Sequence, residues 1–164
     1  MALARYVCGV VRDRAVPTFE VMPVIEPPSE IVDRSVVAAI THDHARVWLL
    51  EKGSAEPVAL VERPLDAEHR RSRPAEIGRG HHSEIGELPW YTLLEHVLGR
   101  SSQLILIGHG KGKGNEVTRF MGHLAESNSP LLGRVIGTGV ANLPAMSDAE
   151  IISAARERWL ADYL

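Results

Sequence analysis

Glycines at 108, 110, 112 and 114, with His109, Lys111 and Lys113 between them, form the stretch of this chain with the clearest chemical meaning. A glycine-rich turn lets backbone N–H groups approach an anion closely, and two lysines on the same turn add charge. The run is neither G-x-x-x-x-G-K-[ST] nor G-x-G-x-x-G, so it points to phosphate contact without naming a ligand. A tight strand-to-helix turn with solvated lysines is the alternative reading. A second cationic stretch, His69 to His82, reads HRRSRPAEIGRGHH and sets Arg70, Arg71, Arg73 and Arg79, with His81 and His82, against Glu76 alone. Flexible arginines neutralise phosphates and stack on bases, which suits a polyanion; a solvated arginine-rich loop is the plainer alternative.

Other chemistries find less support. His42 and His44 would share a strand face if the strand extended that far, but no carboxylate or cysteine completes a metal-ligand spacing, so no metal is expected. Cys8 sits in an apolar, strand-like stretch where a thiol is inert, and no G-x-S-x-G elbow occurs. Asp43 and Glu51 are too few to build a nuclease metal cluster. No catalytic residue and no cofactor are assigned.

These residues need elements to hold them. Leu104 to Ile107 is an unbroken apolar run, as in a strand buried on both faces. Asn115 is a suitable N-cap for a helix whose Val117, Phe120, Met121 and Leu124 recur at helical spacing. Upstream, Val36–Thr41, Arg46–Glu51 and Val58–Val61 read as three strands of an antiparallel meander, with His42-Asp43-His44 as the first turn. Residues 64–87 show no periodicity and are expected as a long basic loop. A helix is expected from Pro89 to Leu98, since proline suits a first helical turn. Val135 starts a further strand running toward Gly139. Ser147 with Glu150 forms a capping box before a helix whose inward stripe is Ile151, Ile152, Ala155, Trp159 and Tyr163. Residues 1–34 carry Pro17, Pro23, Pro27 and Pro28, with strand-like runs at Tyr6–Val11 and Phe19–Ile25; they are read as an N-terminal extension to a domain at 35–164.

Composition sets the bounds. A chain of 164 residues, 45% hydrophobic and 5% aromatic, supports one aliphatic core. The net charge of −3 gives no bulk argument for nucleic acid, so any basic face must be local. One cysteine excludes an internal disulfide, and no apolar run approaches a membrane span; a cytoplasmic protein without membrane contact is expected.

The residues also carry a resemblance. His42-Asp43-His44-Ala45-Arg46-Val47, Leu104 to Gly110 with its following lysine and helix, and Leu132-Gly133-Arg134-Val135 are similar to segments of the middle domain of archaeal and eukaryotic peptide-chain release factors and of pelota. From about Val36 onward the chain resembles, more closely still, the small bacterial release-factor-like (translational machinery component-like) proteins. The resemblance implies an α/β, ribonuclease-H-like mixed sheet: a three-strand antiparallel meander followed by α-β-α-β-α. It also implies a ribosomal or other structured RNA as partner. The release factors carry G-R-G-G-Q-S in the long loop, where this chain has Gly78-Arg79-Gly80-His81-His82-Ser83. With His81 and His82 in place of Gly and Gln, RNA binding without peptide release is the expectation. Two alternatives stand beside it: a nucleotide- or phosphometabolite-binding enzyme or sensor using Gly108–Gly114, and an interaction module, a homodimer whose N-terminal extension lends an edge strand.

Overall fold

The computed structural model describes residues 4–7, 27–51, 53–64 and 82–160. Six strands form one mixed sheet: β1 (Ala4–Val7), β2 (Ser35–Ile40), β3 (His44–Leu49), β4 (Ala59–Glu62), β5 (Gln103–Gly108) and β6 (Val135–Val140). Three helices accompany them: α1 (His82–Leu98), α2 (Glu116–Glu126) and α3 (Asp148–Leu160). The spatial order is β1-β4-β3-β2-β5-β6. β2, β3 and β4 are the expected antiparallel meander, while β5 lies parallel to β2 and β6 parallel to β5. β1 adds a short parallel edge beside β4 of the same chain.

Apolar runs without alternation become strands covered on both sides. On one face Val36, Ala38, Ile40, Leu104 and Leu106 pack with Trp90, Leu94, Phe120 and Leu124 of α1 and α2. On the other, Val37, Ala39, Ile105 and Ile107 pack with Ile151, Ile152, Ala155 and Trp159 of α3. β6 lies against α3 closely: a Cβ added at Gly137 would sit 2.2 Å from Nε1 of Trp159. Small residues on that strand are what allow the indole to lie close to it.

Local signals account for the starts of two helices. Asn115 caps α2 by accepting from the Val117 amide at 2.9 Å. Ser147 and Glu150 close the capping box of α3: the Glu150 carboxylate accepts from the Ser147 amide and hydroxyl, and the Ser147 hydroxyl accepts from the Glu150 amide. The strands fall within about two residues of expectation, as terminal residues generally do. One expectation is corrected. The helix expected to begin at Pro89 begins at His82, so residues 82–87, expected within the loop, are helical. Proline forfeits the bond from its own nitrogen to the carbonyl four residues back, and its ring crowds that carbonyl. The turns before it keep their own bonds, and the helix runs through. The strand expected at Tyr6–Val11 is present as Ala4–Val7, with residues 8–11, the run at Phe19–Ile25 and Tyr163 outside the described residues.

Candidate functional site: one edge of the sheet

The parallel strands end together. Ile40 of β2 pairs with Gly108 of β5, and Gly108 with Val140 of β6. β4 also points this way, because its last residue, Glu62, pairs with His44, the first of β3. Several connections therefore leave the sheet at one edge, among them the turn 41–43, the chain leading out through Arg63 and Pro64, the loop 109–115, and the segment from Ala141 onward.

Asn115 organises the glycine loop. Its side-chain oxygen starts α2, while its amide nitrogen donates to the Gly110 carbonyl at 3.0 Å. That double use draws the carboxamide against β5, where an added Cβ on Gly108 would lie 2.0 Å from the Asn115 oxygen. Gly110 and Gly112 hold φ at +83° and +61°, left-handed conformations that glycine adopts without penalty. His109 rests its Nδ1 3.1 Å from the Ala141 carbonyl, and Arg119 Nε donates to the Lys113 carbonyl at 2.7 Å. Lys111 and Lys113 are exposed and make no ion pair among the described residues.

The structure revises one part of the anion argument. Bare N–H groups at the start of α2 are expected from the sequence, yet Asn115 takes the Val117 amide, and the buried Glu116 carboxylate occupies the first turn. The positive end of that helix dipole is therefore answered within the chain. Attraction for an anion at this edge falls to His109, Lys111 and Lys113 and to the loop backbone.

Glu116 anchors a polar cluster that joins three elements. Tyr91 of α1 donates to its Oε2 at 2.8 Å, and Nδ1 of His42 lies 3.3 Å from its Oε1. Arg63 approaches the same Nδ1 at 3.1 Å and the His42 carbonyl at 3.2 Å. A neutral Nδ1 serves one of these neighbours at a time, donating to Glu116 or accepting from Arg63. His42 is otherwise open, its side chain 72% exposed. His44 turns away to Thr41, with its Nδ1 3.3 Å from the Thr41 hydroxyl. Burial, with the Arg46 guanidinium nearby, holds the His44 imidazole below its ordinary pKa. The two histidines thus do not converge on a shared ligand, and no cluster of three metal-ligating side chains occurs among the described residues.

No family model, curated protein or solved structure matches the chain. No helix among the described residues is long and apolar enough to cross a membrane.

Of the sequence-derived candidates, Gly108, His109, Gly110, Lys111 and Lys113 come together on one loop at this edge. Arg70, Arg71, Arg73, Arg79 and His81 lie outside the described residues; His82 is the first residue of α1. The segment's two bounding elements are described. Its upstream end, Arg63, is held by the turn 41–43 through its backbone amide on the Asp43 carbonyl. Its downstream end is the start of α1, which runs back toward the opposite edge, where β5 begins. Tyr91 reaches Glu116 at the shared edge, and the helix continues roughly two and a half turns, about 13 Å, N-terminal to that contact. Glu116, Tyr91 and Arg63 do not stand out in the sequence. An acid directly after the Asn115 cap is a visible first-turn signal, but its Tyr91 partner is 25 residues away and becomes evident only once the chain is folded.

Proposed function

We propose that this chain is a release-factor-like single-domain protein that binds ribosomal or another structured RNA in the cytoplasm and does not release peptides. The observation that carries the reading is geometric. Arg63, which leads into the arginine-rich stretch, follows Glu62 at the sheet edge from which the Lys111–Lys113 loop also leaves. On this reading, two cationic segments distant in sequence meet one polyanion from the same side. The β2-β3-β4 meander followed by α-β-α-β-α supports a ribonuclease-H-like scaffold, the arrangement the resemblance implies. The absence of peptide release rests on His81 and His82, which stand where the resembling proteins carry Gly and Gln.

Cosedimentation with purified ribosomes at low salt tests this directly. The protein is expected in the ribosomal pellet and is expected to leave it as salt rises, because phosphate contacts release counterions. A protein that stays in the supernatant at low salt, and whose behaviour is unchanged by replacing Arg70, Arg71, Arg73 and Arg79 with alanine, would overturn the reading.

A further inference from the structure

A crevice of about 410 Å³ opens beside the lysine loop, between α2 and α3. Its position follows from the topology. β5 is followed by α2 on one face of the sheet, and β6 by α3 on the other. The chain therefore parts at the carboxyl ends of two adjacent parallel strands, the place where open α/β sheets receive ligands. The volume falls within the range that holds small organic groups.

The lining has a definite chemistry. Ile107, Val117 and Trp159 supply apolar wall, and Val140, 64% exposed, stands at the rim. Thr118 and Thr138 bring hydroxyls, and the single charged side chain is the cation Arg158. Its guanidinium lies 5.2 Å from the centre of the Trp159 ring, so an exposed planar cation is backed by an indole. β6 is the last strand of the sheet, which leaves the backbone groups on its outer side without a strand partner among the described residues. Asn115 belongs to both places: it lines the crevice, and its side chain holds Gly110 of the lysine loop.

A flat ring to lie against the guanidinium, polar edges to meet hydroxyls and strand backbone, and an attached anion for the neighbouring lysines describe a nucleotide. We infer that the crevice takes up one unstacked base of a single-stranded RNA whose phosphates lie on the Lys111–Lys113 loop. The inference rests on the RNA-binding reading above and narrows it from RNA in general to unpaired RNA. Duplex RNA offers no base for such a crevice, whereas loops and single strands do. A free mononucleotide shares the chemistry and is the other source of it.

Fluorescence anisotropy with short single-stranded oligoribonucleotides, the same strands carrying abasic positions, and nucleoside monophosphates as competitors separates these cases. Ala154→Phe fills the crevice from an exposed position on α3, and Arg158→Ala removes the stacking plane without adding bulk. Each is expected to weaken single-strand binding about tenfold with the salt dependence unchanged, and the abasic strand is expected to erase the difference. Lys111→Ala with Lys113→Ala is expected to lower the salt dependence instead. If single strands bind but neither crevice variant nor the abasic strand has an effect, the crevice inference is overturned while RNA binding stands. If monophosphates bind and no RNA does, a free nucleotide is the occupant and the RNA assignment is overturned. If nothing binds, both readings fall.

Discussion

Replacing Gly108 with alanine probes the joint on which the glycine loop depends. The atoms nearest an added Cβ are Oδ1, Cγ and Nδ2 of Asn115, at 2.0, 2.7 and 2.9 Å, and all three belong to one carboxamide. That carboxamide caps α2 and ties down Gly110. Asn115→Ala alone removes the cap, worth about 1 kcal/mol, and a second hydrogen bond, worth about 1 kcal/mol. Gly108→Ala displaces the same group and adds overpacking strain of about 1–3 kcal/mol inside a filled strand, for a total of about 3–5 kcal/mol. In the double variant the obstructing atoms are gone, so the cost is expected to return to about 2 kcal/mol, that of Asn115→Ala alone. Urea unfolding of the four proteins, followed by far-UV circular dichroism, measures this cycle. Costs that simply add, giving a double variant worse than either single one, would show that the clash is not with Asn115 and that the loop is not hung from that side chain.

Four further variants test the packing and the titratable groups. Gly137→Ala drives a Cβ to 2.2 Å from the Trp159 indole and is expected to cost about 2–3 kcal/mol with loss of near-UV signal; Gly122→Ala on α2, where an added Cβ meets nothing within 4 Å, is expected to gain up to about 1 kcal/mol. Tyr91→Phe strips a buried carboxylate of a 2.8 Å donor and is expected to destabilise by about 2 kcal/mol in urea; an unchanged midpoint would contradict the role given to that hydrogen bond. The depressed pKa of His44 means that the unfolded chain binds its proton more readily than the folded one. Its contribution is then fully present above the ordinary histidine value of about 6.5 and is lost as pH falls through the lower folded value. His44→Gln is expected to make the urea midpoint fall less between pH 7.5 and pH 5.5 than it does in the parent, and equal falls would refute this.

Features carried by neighbouring residues were legible in the sequence. The Asn115 cap, the Ser147–Glu150 box and the two-faced burial of Leu104–Ile107 each depend on spacing within a few positions, and each stands as expected. The start of α1 was not legible, because Pro89 resembles a first-turn residue and HSEIGEL offers only Ile85 and Leu88 at helical spacing, with Gly86 between them. The loop residues were legible as a group, but the answer to the α2 dipole was not. It comes from a buried Glu116 whose partners lie on α1 and on the turn after β2. The crevice was also hidden, since Ile107, Thr138 and Arg158 converge only when β5, β6 and α3 have packed.

In the proposed RNA complex, two cationic segments serve a single surface for phosphates. The most direct test of that claim is the slope of log affinity against log salt for one rRNA fragment. The parent is compared with Lys111→Ala/Lys113→Ala, with the fourfold alanine variant at Arg70, Arg71, Arg73 and Arg79, and with the two sets combined. Each set is expected to reduce the slope by about 0.7–0.9 for every phosphate it leaves unneutralised, with the combined protein showing the sum. A slope that none of these proteins alters would contradict the claim.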